Sequence, residues 1–330
     1  VLSWGWTGII YALNFGMVMF FAGAFHLFFY TLRKQGDETK YVPQFGHRGG
    51  GRFTFGNQVH DNMFWSLASG VTVWSGYSVM LLWAHANGVM PAISFGGNPV
   101  LFSAIVFCTG MWVAFHFYWG HRLLHVGPLY RCVHALHHRN VNVGPWSGIS
   151  MHPVEHVIYF SSMLIHLVVP SHPVLIMFHG YMLALSAIFG HTGFHELLLG
   201  NSRRVLVGHF HHQLHHRYFE CNYGSVDFPL DVWFGTFHDG TVDARRRLKE
   251  RLGPRYGPGW DRTHERRGTE TCKERHRGGR AACDAALSCM RAARAAGMGS
   301  RAWPVCPLSY ECHAMLRRGR LRDGLNRPPT

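Results

Sequence analysis

Carboxylates are scarce in the part of the chain that holds most of its histidines. Only four acidic residues lie between Asp61 and Asp231, namely Glu155, Glu196, Glu220 and Asp227. Soluble carboxylate-bridged di-iron bundles use paired Glu-x-x-His motifs, and this region contains none. Mg²⁺ and Ca²⁺ bind through several oxygen ligands, which this region also lacks. The scarcity of acids therefore excludes both kinds of site.

Charge is absent from the beginning of the chain, and paired cysteines are absent throughout. Residues 1–32 contain no Asp, Glu, Lys or Arg. Within them, residues 6–30 form about 38 Å of helix, which is enough to cross a bilayer with some tilt. A signal peptide has a basic leader and a shorter apolar core, so we predict a retained first span. Since no Cys-x-x-Cys pair occurs among the eight cysteines, no cysteine-based zinc module is predicted.

Further apolar stretches complete a membrane domain. Uncharged segments of bilayer length at 62–84 and 99–119 predict two more spans. The apolar region 157–190 is interrupted by Pro170-Ser-His-Pro173, and two prolines break helical geometry, so a short hairpin is predicted there. It is either a pair of short tilted spans or a re-entrant pair. The expected fold is all-α and integral to the membrane, with about four to five transmembrane helices.

The charges of the loops predict the orientation of these spans. Residues 33–61 carry five basic side chains, whereas residues 85–98 carry none. Cytoplasmic loops are enriched in Lys and Arg, so the first loop is expected in the cytoplasm and the second on the far side. The third span and the returning hairpin then both end on the cytoplasmic face. A multi-pass protein with a histidine-rich helical cap in the cytoplasm is predicted.

Four histidine boxes follow the third span in a repeated order of spacings. The boxes are HRLLH with His121 and His125, HALHH with His134, His137 and His138, HTGFH with His191 and His195, and HQLHH with His212, His215 and His216. Helical spacing turns the members of a box towards one point. Ten imidazoles exceed what one ion accepts, so two metal ions are predicted. Imidazole suits Fe, Zn, Cu and Ni, and the spacing does not choose among them.

These motifs resemble those of the fatty acid hydroxylase and sterol desaturase superfamily. The likeness covers residues 117–241 and includes HPVE at 152–155 and NYG at 222–224. It implies a membrane oxygenase that hydroxylates or desaturates a fatty acyl chain, a sterol or a related isoprenoid with O2. It also implies two iron ions on the ten histidines, although zinc can take their place in purified material. Substrate would arrive from the bilayer, and electrons from a separate ferredoxin or cytochrome b5-like protein with its reductase.

The resemblance leaves alternatives open at individual residues. His116 and His121 form an HX4H pair, so His116 competes with His125 as a ligand. Sterol-type members often lack the second histidine of the third box, which makes His195 less secure than His191. The HPVE element offers His152 and Glu155 as residues that hold a ligand imidazole from outside, or only a solvated charge. Asn222 in the NYG motif is a further candidate for such a role.

The composition changes after residue 242. Residues 243–330 hold 21 of the 32 Lys and Arg residues and five of the eight cysteines. We expect a membrane oxygenase domain over 1–242 and a basic tail over 243–330 that is either disordered and attracted to anionic lipid or non-native sequence. The tail carries no recognised nucleic-acid motif, so no nucleic-acid partner is predicted.

A different class of protein could use the same histidines. A membrane transporter or metal store would bind ions without oxidising lipid. Transporters usually place their ionisable ligands inside the spans, near the bilayer midplane. Here the boxes follow the spans, which favours the enzyme.

Overall fold

Helices form almost all of the regular structure of this protein. The structure is a computed structural model that describes residues 2–42, 53–200 and 203–253. The predicted all-α fold is confirmed, with one small addition. Strands β1 (Glu196–Leu199) and β2 (Arg203–Leu206) pair antiparallel, with Glu196 opposite Leu206.

Eleven α-helices lie in the described residues. They are α1 Trp4–His26, α2 Gln58–Phe64, α3 Val71–Ala86, α4 Pro99–Leu124, α5 Gly127–Leu129, α6 Ala135–His138, α7 Pro153–Phe160, α8 Pro173–Gly190, α9 Phe210–Tyr218, α10 Leu230–Trp233 and α11 Val242–Leu252. Wider π-helical turns at Leu27–Thr31, Trp65–Gly70 and Tyr130–His134 extend or join them, and 3-10 turns occur at Pro145–Ser147 and Ser161–Leu167.

Among the described residues, four helical segments are long and apolar enough to span a membrane. They are Trp4–Thr31, Gln58–Ala86, Pro99–Leu124 and Pro173–Gly190. Large apolar side chains remain exposed on them, including Phe20 and Phe107, which are 66% and 73% exposed. An exposed apolar surface of this extent is what lipid-facing helices present. The segments agree with the four to five spans expected from the sequence.

Local signals at their starts explain where two of these helices begin. The Asn98 side chain accepts a hydrogen bond from Leu101 N, and Pro99 occupies the first turn of α4. The His172 ring accepts from Val174 N at the start of α8, again with a proline in the first turn. The break predicted around Pro170 thus separates α8 from the 3-10 turn Ser161–Leu167, which follows α7.

The core lies where the apolar helices pack against each other. Trp74 on α3 is fully buried and stacks on Phe160 at the end of α7. A side chain at Gly180 on α8 would clash with the Trp74 indole, so only glycine allows α3 and α8 this close. Packing of α1, α3, α7 and α8 around this core places the ends of α4 and α8 beside the histidine boxes.

Helix α11 lies in a second unit, which begins at Phe237. The Thr241 side chain accepts from Ala244 N, Asp243 lies in the first turn and basic residues lie in the last turn, all of which stabilise a helix. The predicted domain boundary at 242/243 therefore falls at the start of a helix, and the first residues assigned to the tail are helical. The rest of that predicted tail, 254–330, lies outside the described residues.

Candidate metal centre

Nine of the ten predicted histidines meet in two groups at the ends of the apolar helices. The five-histidine group comprises His121, His125, His134, His138 and His215, and the four-histidine group comprises His137, His191, His212 and His216. In each group the ring nitrogens that could bind an ion all lie within 4.8 Å of one another. Two converging donor sets are what a pair of metal ions needs.

The two HX2HH boxes are shared between the groups. In the second box, His134 and His138 join the five-histidine group while His137 joins the other. Neighbouring helical residues differ by about 100° in direction, so residues 137 and 138 cannot face the same point. The fourth box divides in the opposite sense. The expectation that all members of a box converge is therefore wrong for both HX2HH boxes.

The spacing of the ring nitrogens suits a metal ion. The Nε2–Nε2 distances are 3.0 Å for His121–His134, His134–His138 and His191–His216, 3.1 Å for His138–His215, His191–His212 and His212–His216, and 3.2 Å for His125–His138. Two imidazoles about 2.1 Å from one ion have nitrogens about 3.0 Å apart at a right angle and about 3.4 Å apart in a tetrahedron. The observed separations lie in or at the edge of that range.

Backbone carbonyls fix the tautomer of four ligand candidates. The Nδ1–O pairs are His121 with Tyr223, His137 with Ser150, His191 with Ala187 and His215 with Cys221, at 2.6, 3.2, 2.7 and 2.6 Å. A carbonyl only accepts, so each Nδ1 carries the proton and each Nε2 of the neutral ring keeps a lone pair. Lone pairs that face each other at such distances repel unless a cation lies between them. The donor set therefore fits a metal ion.

Burial keeps these imidazoles neutral. It lowers the pKa of His137 to about 4. It also lowers the pKa well below the usual value for His134, His138, His191, His212, His215 and His216. A protonated imidazole cannot bind a metal ion, whereas a neutral one can. The histidines of both groups are thus neutral, and able to bind a metal ion, at neutral pH.

Glu155 contacts the five-histidine group from outside the set of facing ring nitrogens. Its Oε1 lies 2.7 Å from His134 Nδ1, and the residue is 2% exposed. Burial raises the pKa of this carboxyl well above its usual value. Burial thus favours the neutral forms of both His134 and Glu155, and a cation at His134 would restore the carboxylate.

His152 and Asn222 do not repeat this arrangement. The His152 ring accepts a hydrogen bond from Val154 N at the start of α7, so it caps that helix where an orienting role was expected. The Asn222 side-chain amide donates to the carbonyl of His211, the residue before a ligand candidate. The Asn222 backbone adopts a left-handed φ of 55°. This conformation orients the neighbouring carbonyls of Cys221 and Tyr223 towards His215 and His121.

His195 and His116 lie outside both groups. Helix α8 ends at Gly190, and Gly193 has a left-handed φ of 79°, so the HX3H spacing of the third box is not helical. The backbone of His195 instead bonds Thr39. His116 Nε2 lies 3.1 Å from Ser161 Oγ within the helical bundle. Of the two alternatives for the first box, the structure brings His125 to the other histidines.

Sequence reasoning missed the carbonyl acceptors. Every residue has a carbonyl, so side-chain identity cannot mark the ones that contact a ligand. The NYG motif was the one available signal, because it encloses Tyr223 and follows Cys221. Sequence reasoning also missed Asp231, whose carboxylate accepts hydrogen bonds from Tyr223 N and Gly224 N.

An apolar helical bundle with two buried histidine groups at one end defines a membrane protein of the histidine-box class. Residues 105–236 match the family model described as fatty acid hydroxylase. This match confirms the resemblance read from the motifs, and residues 105–236 are a region of the fatty acid hydroxylase and sterol desaturase superfamily.

Several relatives have names that describe enzymes acting on sterols. The chain is 35% identical over 123 residues to the Delta(7)-sterol 5(6)-desaturase ERG3B of Gibberella zeae, covering 36% of this chain and 37% of the relative. It is 29% identical over 141 residues to the Delta(7)-sterol-C5(6)-desaturase of Nicotiana tabacum, covering 41% and 50%. It is 30% identical over 127 residues to Methylsterol monooxygenase 2-2 of Arabidopsis thaliana, covering 37% and 48%. The chain thus spans half or less of these relatives' length, and no solved structure matches it.

Proposed function

We propose that this protein is an O2-dependent lipid oxidoreductase with two iron ions, one in each histidine group. Its substrate class is a membrane lipid, either a fatty acyl chain, a sterol or a related isoprenoid, which is hydroxylated or desaturated. The observation that carries the proposal is the convergence of nine neutral imidazoles into two adjoining sets. The names of the relatives, which include desaturases and a monooxygenase, support oxidation of a lipid.

When bound, the two ions supply the O2 reduction and C–H oxidation. The residues of the protein orient the ligand rings and exclude water. Carbonyls and Glu155 hold the ring protons on Nδ1, so that the Nε2 lone pairs stay directed inwards. The near-complete burial of the rings excludes water from the reacting centre.

The position of the groups suits a substrate that stays in the bilayer. Both α4 and α8 end at ligand candidates, since His121 lies in the last turn of α4 and His191 directly follows α8. Tyr30, at the end of the first span, donates to the carbonyl of Thr192, 2.7 Å away. Three spans therefore end beside the site, as a substrate that stays in the bilayer requires.

We place this end of the bundle on the cytoplasmic face. The span that ends near Tyr30 leads into the basic segment 33–61, and positive loops favour the cytoplasm. A cytoplasmic site is accessible to a soluble or membrane-bound electron donor. We propose a ferredoxin or cytochrome b5-like protein with its reductase, as the family resemblance implies.

Metal analysis joined to lipid analysis tests the proposal. The full chain is purified in detergent, its metal content per chain is measured, and it is then reconstituted with lipid, a reductase and an electron carrier. We expect close to two ions per chain, and O2 consumption together with a lipid product that is heavier by one oxygen or lighter by two hydrogens. Ions bound without O2 consumption under any donor would instead support a metal-handling membrane protein.

A further inference from the structure

A buried carboxylate outside the ligand set anchors the loop that follows the fourth box. Asp231, at the start of α10, is 2% exposed. Its Oδ1 accepts from Tyr223 N at 2.8 Å and from Thr236 Oγ1 at 2.6 Å, and its Oδ2 accepts from Gly224 N at 2.8 Å. Three donors on one buried carboxylate hold it in a single orientation, because charge-assisted hydrogen bonds are short and strong.

The loop that Asp231 holds provides two of the carbonyls at the metal centre. Cys221 O accepts from His215 Nδ1, and Tyr223 O accepts from His121 Nδ1, both at 2.6 Å. The residue between them, Asn222, has a left-handed backbone that turns the two carbonyls to their partners. The direction of both rings therefore depends on the backbone of 221–223.

A second set of bonds connects this loop to the turn after α10. Asn222 N donates to Thr236 O at 2.9 Å, and Thr236 N donates to Asp231 O at 2.8 Å. Asp231 thus contacts the loop directly through its side chain and indirectly through Thr236. Movement of Asp231 would move the carbonyls of Cys221 and Tyr223 together.

We propose that Asp231 is a positioning residue for the five-histidine group. It fixes the loop 221–224, and the loop in turn fixes the rings of His121 and His215. This inference rests on the proposed two-ion site and adds that one ion, and not the other, depends on Asp231.

The selectivity follows from where the other group finds its acceptors. His137 bonds Ser150 O and His191 bonds Ala187 O, which lie in a different loop and in α8. Neither carbonyl belongs to the loop that Asp231 holds. Asp231 Oδ2 also lies 3.6 Å from His211 Nε2, but the His211 ring belongs to neither group. A change at residue 231 should therefore weaken metal binding in the five-histidine group.

The test uses full-length variants in which only one group can bind. His212→Ala/His216→Ala leaves the five-histidine group, and His134→Ala/His138→Ala leaves the four-histidine group. Zn²⁺ affinity of each is measured by competition with a chromophoric chelator, with and without Asp231→Asn. Asparagine keeps one oxygen but places an amide NH2 against a backbone N–H. We expect about a 10- to 100-fold weaker affinity in the first background, the usual effect of losing an outer contact, and no change in the second.

Asp61→Asn is the matched control. Asp61 is 1% exposed, accepts from Thr54 N at 2.9 Å and pairs with Arg139 at 3.0 Å, so it loses similar bonds in the same substitution. If Asp231 only stabilised the fold, both substitutions would lower Zn²⁺ binding alike in the two backgrounds. That result, or unchanged affinity in the first background, would overturn the proposal.

Gly224→Ala gives an independent perturbation should Asp231→Asn fail to fold. A Cβ at residue 224 would lie 3.1 Å from Asp231 Oδ2 and 3.2 Å from the Tyr118 ring, so it pushes the loop away from the carboxylate. We expect the same selective loss in the first background. Equal affinities in both backgrounds would again contradict the proposal. Since the readout is Zn²⁺ binding, failure of the proposed oxygenase activity leaves this test intact.

Discussion

The two histidine groups resemble each other in composition and differ in their surroundings. The five-histidine group has carboxylates beside it, with Glu155 bonded to His134 and Glu220 Oε1 3.9 Å from His125 Nδ1. The outer acceptors identified for the four-histidine group are backbone carbonyls, of Ser150 and Ala187. Negative charge beside a ligand favours the more highly charged metal ion. Two ions in near-identical imidazole sets are thus expected to differ in affinity and reduction potential.

Loss of a central ligand should have the largest effect on metal content. His138 Nε2 lies within 3.0–3.2 Å of the Nε2 atoms of His125, His134 and His215. His138→Ala should lose the ion of the five-histidine group and all turnover, whereas His137→Ala should lose the other ion. Metal content per chain and O2 consumption are the measurements. Two ions retained by either variant would contradict its ligand role.

Loss of the outer carboxylate should have a smaller and one-sided effect. Glu155→Gln keeps the shape of the side chain but cannot provide the negative charge that Glu155 would carry beside a metal-bound His134. We expect affinity at the five-histidine group to fall about 10- to 100-fold, with the four-histidine group unchanged. Glu220→Gln is the control, because Glu220 is partly exposed and 3.9 Å from its histidine. If Glu220→Gln weakened binding as much as Glu155→Gln, proximity to His134 would not be the cause.

Metal removal should lower stability in a pH-dependent way. An ion that binds only the folded chain stabilises it by about 2.7 kcal/mol at a free concentration 100 times Kd. In the metal-free protein the folded pKa of His137 is about 4, below the unfolded value of 6.5. The unfolded chain therefore takes up protons first, and stability falls as the pH drops from 6.5 towards 4. Thermal unfolding in detergent across this range, with and without Zn²⁺, measures both effects. A metal-free melting temperature that rises on acidification would contradict this.

The smallest effects are expected at the histidines outside both groups. His195→Ala and His116→Ala should each keep two ions and change Zn²⁺ affinity by less than about tenfold, the lower end of what an outer contact contributes. Metal content and chelator competition check this. Loss of one ion in His195→Ala would restore the third box as a two-ligand box.

The sequence predicted the general arrangement better than its details. Apolar length and the boxes from His121 to His216 were sufficient to predict the apolar spans, the family and a histidine cluster that could hold metal. Helical geometry requires each HX2HH box to divide its histidines between the two groups. The sequence analysis did not predict this division, because it took helical spacing to mean that all histidines of a box face one point. His195 was assigned to the ligands because HX3H was assumed helical, although Gly193 and the end of α8 turn the chain away.

The crossed contributions of α6 and α9 have a consequence for how the protein matures. Helix α9 gives two rings to one group and one to the other, and α6 gives one ring to each, while His134 joins from the π-helical turn directly before α6. Neither pocket is complete until both helices are in place, and α9 comes after all four apolar segments in the chain. Ion uptake should therefore come late in biogenesis, after membrane insertion. A partly synthesised chain would then have no complete metal-binding site.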